Sequence, residues 1–101
     1  MSEKLPLSVV LITCNAAGRL RDVLASVPFA SEIILVDSGS TDETAAIAAE
    51  FGAQVVHHPW AGFGPQKAHA VSLASNDWVL CLDADEALSP RLATSIQRAF
   101  S

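Results

Sequence analysis

Cysteine is scarce: Cys14 and Cys81 are the only two, and no C-x-x-C spacing joins them, which argues against a disulfide framework or a zinc ribbon. Each adjoins a predicted strand end or interior and reads as a reduced, small apolar filler. Basic residues are few as well. Six Lys and Arg stand against eleven Asp and Glu, a net charge of −5. The cations form no stripe, so nucleic acid is set aside as a partner. No apolar run approaches the roughly 20 residues that cross a bilayer. The opening Met1-Ser2-Glu3-Lys4, followed by Leu5-Pro6 and a short strand-like run, lacks the apolar core of a secretory signal, and a cytoplasmic protein is expected. Glycine-rich nucleotide motifs are missing too. There is no G-x-G-x-x-G after the first predicted strand and no G-x-x-x-x-G-K-[ST], so neither a dinucleotide fold nor a P-loop is supported. Nor do the histidines suggest zinc: His57 and His58 are adjacent and point to opposite faces of a strand, while His69 lies across a loop.

What remains is one domain of 101 residues, half of them apolar, enough for a core without staples. Four apolar, β-branched segments, at 7–13, 32–36, 54–57 and 78–82, alternate with helical patterns. That alternation predicts βαβ units and a mainly parallel four-stranded sheet in a three-layer α/β sandwich. Leu20, Val23, Leu24 and Val27 repeat at helical spacing up to Pro28. Ser40-Thr41-Asp42-Glu43 fits a capping box, with Ala45, Ala48 and Phe51 on one face and Gly52 as the stop. Gln66 to Ala74 predicts a short helix after the Pro59–Pro65 loop, and Ser89-Pro90 opens a last helix through Leu92, Ile96 and Phe100.

Polar residues follow each strand. In an open parallel sheet, ligands bind beyond the carboxyl ends of the strands, where strand order reverses. The first strand runs into Thr13-Cys14-Asn15, the second into Asp37-Ser38-Gly39-Ser40, the third into His57-His58, and the last into Asp83-Ala84-Asp85-Glu86. Asp83 and Asp85 point the same way if the chain stays extended. Such oxygen-rich pairs suit Mg²⁺ or Mn²⁺. A diphosphate placed beside them without a cation would meet repulsion of about 4 kcal/mol per close charge pair at an effective dielectric near 20. Capping explains Gly39 to Glu43 but leaves Asp37 uncommitted and open to a ligand. Lys67 offers a second positive charge, with solvated surface as its plain alternative. Trp60 and Phe63 either stack on a sugar or base or pin their loop.

Val9 to Asn15, Ile34 to Asp42, Gly62-Phe63-Gly64-Pro65-Gln66-Lys67 and Trp78 to Glu86 together resemble the family 2 glycosyltransferases of GT-A fold, over nearly the whole chain. The phrase Pro59-Trp60-Ala61-Gly62-Phe63-Gly64-Pro65-Gln66-Lys67 is similar to lipopolysaccharide core glucosyltransferases. The resemblance implies a UDP-sugar donor, a glycan or lipopolysaccharide acceptor, Mn²⁺ or Mg²⁺ as cofactor, and inverting transfer. It implies that Thr13 and Asn15 line the nucleotide pocket, that Asp37 recognises uracil and that Lys67 faces the diphosphate. Asp83 would contact ribose or metal, and Asp85 would ligate the metal. Two departures stand out: Cys14-Asn15-Ala16 replaces the branch's usual Lys-Asn-Glu, and His69 replaces an Asn. The general base would lie on an acceptor-binding segment beyond residue 101, so the chain is expected to be a truncated donor-binding part of low activity. Full-length protein would sit in the cytoplasm, peripheral at the inner membrane. Two other readings compete. A haloacid dehalogenase-type phosphatase also uses D-x-D but needs Thr or Val after its nucleophile, where this chain has Glu86-Ala87-Leu88. A non-catalytic module would bind nucleotide or self-associate through exposed edges.

Overall fold

The computed structural model describes residues 4–100. The elements run β1 (Leu5–Thr13), α1 (Ala17–Ala25), β2 (Ala30–Asp37), α2 (Thr44–Glu50), β3 (Gln54–His57), α3 (Phe63–Ser72), β4 (Trp78–Cys81) and α4 (Pro90–Ala99). All three strand pairings are parallel and give the order β3-β2-β1-β4. The chain therefore builds outward from β1 to β3 and then returns to the other side of β1. Strand order reverses between β1 and β4, which is where a parallel sheet opens a crevice.

Alternation along β1 divides the core into two layers. Leu7, Val9 and Leu11 face one side, packed with Leu20, Val23 and Leu24 of α1, Ile47 and Ala48 of α2, and Ala93, Ile96 and Phe100 at the end of the chain. Val10 faces the other, with Ile34 and Val36 of β2 and Ala70 of α3. This is the three-layer α/β arrangement read from the sequence. Central strands covered on both faces explain why β1 and β2 are near-continuous apolar runs. Leu11, Leu20, Leu24, Ile34 and Leu35 are fully buried, each worth about 1.5–3 kcal/mol of removed apolar surface. Among the described residues no helix is long and apolar enough to cross a membrane.

Several local details differ from the sequence reading. Helix α3 begins at Phe63 rather than Gln66, because Gly62 takes a positive φ of 100° and Pro65 falls in the first turn, where a missing N–H costs nothing. The capping box does not form: Glu43 holds the N-cap position of α2 with no side-chain bond. Asp42 substitutes for it, accepting from the Thr44 N–H and hydroxyl. The helix rotates accordingly, burying Thr44, Ile47 and Ala48 and leaving Ala45 exposed. Ser89 does cap α4, accepting from Leu92 N–H at 3.1 Å. Cys14 and Cys81 are both exposed free thiols, which corrects their reading as apolar fillers.

Candidate nucleotide-sugar site

The carboxyl ends of β1 and β2 are locked together by polar bonds. Thr13 is buried, and its hydroxyl donates to Asp37 Oδ1 at 2.7 Å. The same oxygen accepts from the Ser40 hydroxyl, while Oδ2 accepts from the Gly39 and Ser40 N–H groups at 3.0 and 2.8 Å. Gly39, at φ 120°, allows that turn. Burial pushes the Asp37 carboxyl up, but the Ser40, Thr13 and Gly39 donors outweigh it and hold the group below its ordinary value. Asp37 is thus not uncommitted, as sequence suggested. All four of its acceptor positions are engaged in building the β2–α2 loop.

Asn15 completes this corner. It adopts a left-handed backbone at φ 52°, a region Asn enters more readily than most residues. Its Oδ1 accepts from Thr41 N–H at 2.8 Å, and its N–H donates to Ser40 Oγ at 2.7 Å. Ala16 N–H reaches Thr44 Oγ1, and Ala17 N–H reaches Asp42 Oδ2. The starts of α1 and α2 are therefore stitched to each other.

Across the crevice the chain leaves β4 at Cys81 and turns at once. Glu86 N–H closes on Asp83 carbonyl at 3.2 Å. Sequence placed Asp83 and Asp85 on one side by extended-chain geometry; the turn brings them together and recruits a third carboxylate. Asp83, Asp85 and Glu86 are exposed and offer oxygens all within 4.8 Å of one another. Among the described residues their side chains hold no hydrogen bond or ion pair.

Between the two corners lies a cleft of about 580 Å³, bordered by Thr13, Asn15, Lys67, Asp83 and Asp85. Five of the six residues picked from the sequence thus share one cavity, and Asp37 stands one hydrogen bond behind Thr13. Arg19, on the first turn of α1, also lines it and was missed. It reaches the cleft because α1 opens directly beyond the polar end of β1, beside Asn15 and Ala16. A second cavity of about 520 Å³ shares Thr13 and is walled by Ser38, Trp60 and Phe63. It is the more apolar annex, with the two aromatic rings edge-to-face at 4.9 Å.

The model of the Glycosyl transferase family 2 matches residues 8–101. This chain belongs to glycosyltransferase family 2. An uncharacterized glycosyltransferase of Rickettsia felis is 46% identical over 96 residues, 94% of this chain and 34% of that protein. The lipopolysaccharide core biosynthesis glycosyltransferase LpsC of Rhizobium meliloti is 38% identical over 97 residues, 91% of this chain and 36% of that protein. Among solved structures, glucosyl-3-phosphoglycerate synthase of Mycobacterium tuberculosis, in complex with Mn²⁺, UDP and glucosyl-3-phosphoglycerate, superposes with a TM-score of 0.68 at 30% identity, covering 79% of this chain and 33% of that one. The family 2 chain thus spans about a third of the length of the relatives it matches. Its four parallel strands and flanking helices are those of a GT-A fold.

Proposed function

We propose that this family 2 chain is the donor-binding part of a glycosyltransferase, spanning residues 1–101, that moves a hexose, glucose foremost, from a UDP-sugar to a lipopolysaccharide core or other glycan acceptor with inversion. One observation carries the reading: three carboxylates within 4.8 Å of one another, with no side-chain partner among the described residues, stand at the strand-order reversal of a parallel sheet, beside a cleft that also holds Lys67. The glucosyl-3-phosphoglycerate synthase complex with Mn²⁺ and UDP supports the donor, and LpsC supports the acceptor class.

The donor set fits a divalent cation. Clustered carboxylate oxygens on a turn suit Mg²⁺ or Mn²⁺, which accept oxygen ligands and keep several waters. Held by these carboxylates, such an ion would supply positive charge to offset the acidic turn and the donor diphosphate. Asp85 and Asp83 hold it, with Asp83 also within the range of roles that includes ribose contact. Lys67 faces the diphosphate as a point charge. Thr13 and Asn15 line the nucleotide pocket, and the Trp60–Phe63 annex receives the base. Asp37 recognises uracil by exchange: the Thr13 or Ser40 hydroxyl rotates away and the base N–H takes its place. The general base that deprotonates the acceptor hydroxyl is assigned to an acceptor-binding segment beyond Asp85. The full-length enzyme would work in the cytoplasm, at the inner face of the membrane.

Titration calorimetry with UDP, with and without Mn²⁺, tests this. Metal-dependent heat that Asp85→Ala abolishes supports it. Identical UDP binding with and without metal would sink it, and phosphoenzyme trapping by beryllium fluoride would point to a phosphatase instead.

A further inference from the structure

One buried amide governs the loop that walls the annex. Gln66, on the first turn of α3, is 0% exposed, yet α3 is otherwise anchored by small apolar residues such as Ala70. Its Nε2 donates to the His58 carbonyl at 2.9 Å. Its Oε1 accepts from Ala61 N–H at 3.3 Å and lies 3.1 Å from His58 Nδ1. These partners fix which way the amide points, because only its –NH₂ can meet a carbonyl and only its oxygen can meet a backbone N–H. An acceptor therefore faces His58 Nδ1, and His58 must carry a proton on that nitrogen. The His58 ring in turn stacks on His69 of α3 at 4.2 Å and 30°.

A single side chain thus ties both ends of residues 58–61 to α3. Trp60 sits between those ties and Phe63 follows them, exposed by 53% and 71%. Rings so exposed have little packing of their own, and their position is inherited from the backbone that Gln66 holds. An apolar residue would fill the same space without the cost of desolvating an amide. The amide is needed for placement.

We propose that Gln66 is a positioning residue for the donor: by clamping residues 58–61 it presents Trp60 and Phe63 as an aromatic wall to the nucleobase. The inference rests on reading the cleft as a UDP-sugar site.

Gln66→Met keeps length and volume and removes every bond. It is compared with wild type, Trp60→Ala and the double variant by UDP calorimetry in Mn²⁺. Gln66→Met should weaken UDP roughly tenfold, the scale of one lost base stack, while the titration of Mn²⁺ alone is unchanged. In the Trp60→Ala background it should add less than it costs alone, since the Trp60 share of the wall is already gone and only Phe63 is left to displace. Unchanged UDP affinity in folded Gln66→Met, or losses that simply add, would overturn the role. A wild-type chain that takes no UDP with Mn²⁺ overturns the donor reading and this inference together, whereas wild-type binding indifferent to Gln66 overturns this inference alone. Imidazole ¹⁵N shifts of wild-type protein decide the matter if the variant does not fold: a His58 protonated on Nε2 rather than Nδ1 rules the clamp out.

Discussion

The two polar corners of the cleft differ in what their side chains are bonded to. Where β1 and β2 end, Asp37 accepts four hydrogen bonds, Asn15 reaches Thr41, and Asp42 ties Ala17 to Thr44. Beyond β4, three carboxylates crowd together with no side-chain partner among the described residues. Both corners are acidic and both follow apolar strands. The first uses its charge to hold a loop, as a buried polar group must. The second leaves its charge in solvent, screened by water and open to a cation. A carboxylate's place at a strand end therefore says little about ligands until its own hydrogen bonds are counted.

Unequal responses to substitution would sharpen that contrast. Asp85→Ala should raise the dissociation constant for UDP in Mn²⁺ at least 100-fold, about 3 kcal/mol. Its unfolding free energy in urea should stay within about 0.5 kcal/mol of wild type, as for an exposed residue without partners. Asp37→Asn should differ by lowering stability as well as UDP affinity. The new –NH₂ must confront either the Thr13 and Ser40 hydroxyls or the Gly39 and Ser40 N–H donors, so stability should drop by about 2 kcal/mol. Equal destabilisation by the two variants would erase the distinction.

Much of this was legible in the sequence for a physical reason. A parallel sheet buried on both faces writes its strands as apolar runs, and β3 appears at 54–57 as read. The first helix was equally plain from Leu20, Val23 and Leu24. What stayed hidden depended on competition between equivalent groups. Ser40 and Asp42 have the same capping chemistry, and only the pull of Asp37 and Asn15 on Ser40 assigns the cap to Asp42. Asp85 and Glu86 could not be grouped without the turn that closes on Asp83. The burial of Gln66 likewise followed from where α3 begins, which Gly62 and Pro65 set and the run from Gln66 to Ala74 did not show.

Asn15 offers a finer cut at the bonded corner. Ala in a left-handed backbone loses the Thr41 bond and adds steric strain, whereas Gly loses the bond alone. Asn15→Ala should cost about 1.5 kcal/mol in urea unfolding and Asn15→Gly about half that. Equal losses would mean that the φ of 52° contributes nothing and that the hydrogen bond alone secures the turn.

The smallest effect expected is on pH dependence, and it too separates the corners. Hydrogen bonds hold Asp37 below its ordinary value despite burial, and Glu32, at the opposite end of β2, is lowered chiefly by the Ser75 N–H and then by the Ser8 hydroxyl. A carboxyl with a depressed folded pKa binds its proton more readily when unfolded, so its stabilisation is complete above the unfolded value near 3.9–4.3 and fades as pH falls through the folded one. The stability gap between wild type and Asp37→Asn should accordingly stay constant from neutrality down to that range and shrink only below it. A gap that does not change with pH would show that the Asp37 proton is bound as easily in the fold as out of it, and one that widens as pH falls would show a loop network built around a neutral carboxyl rather than a carboxylate.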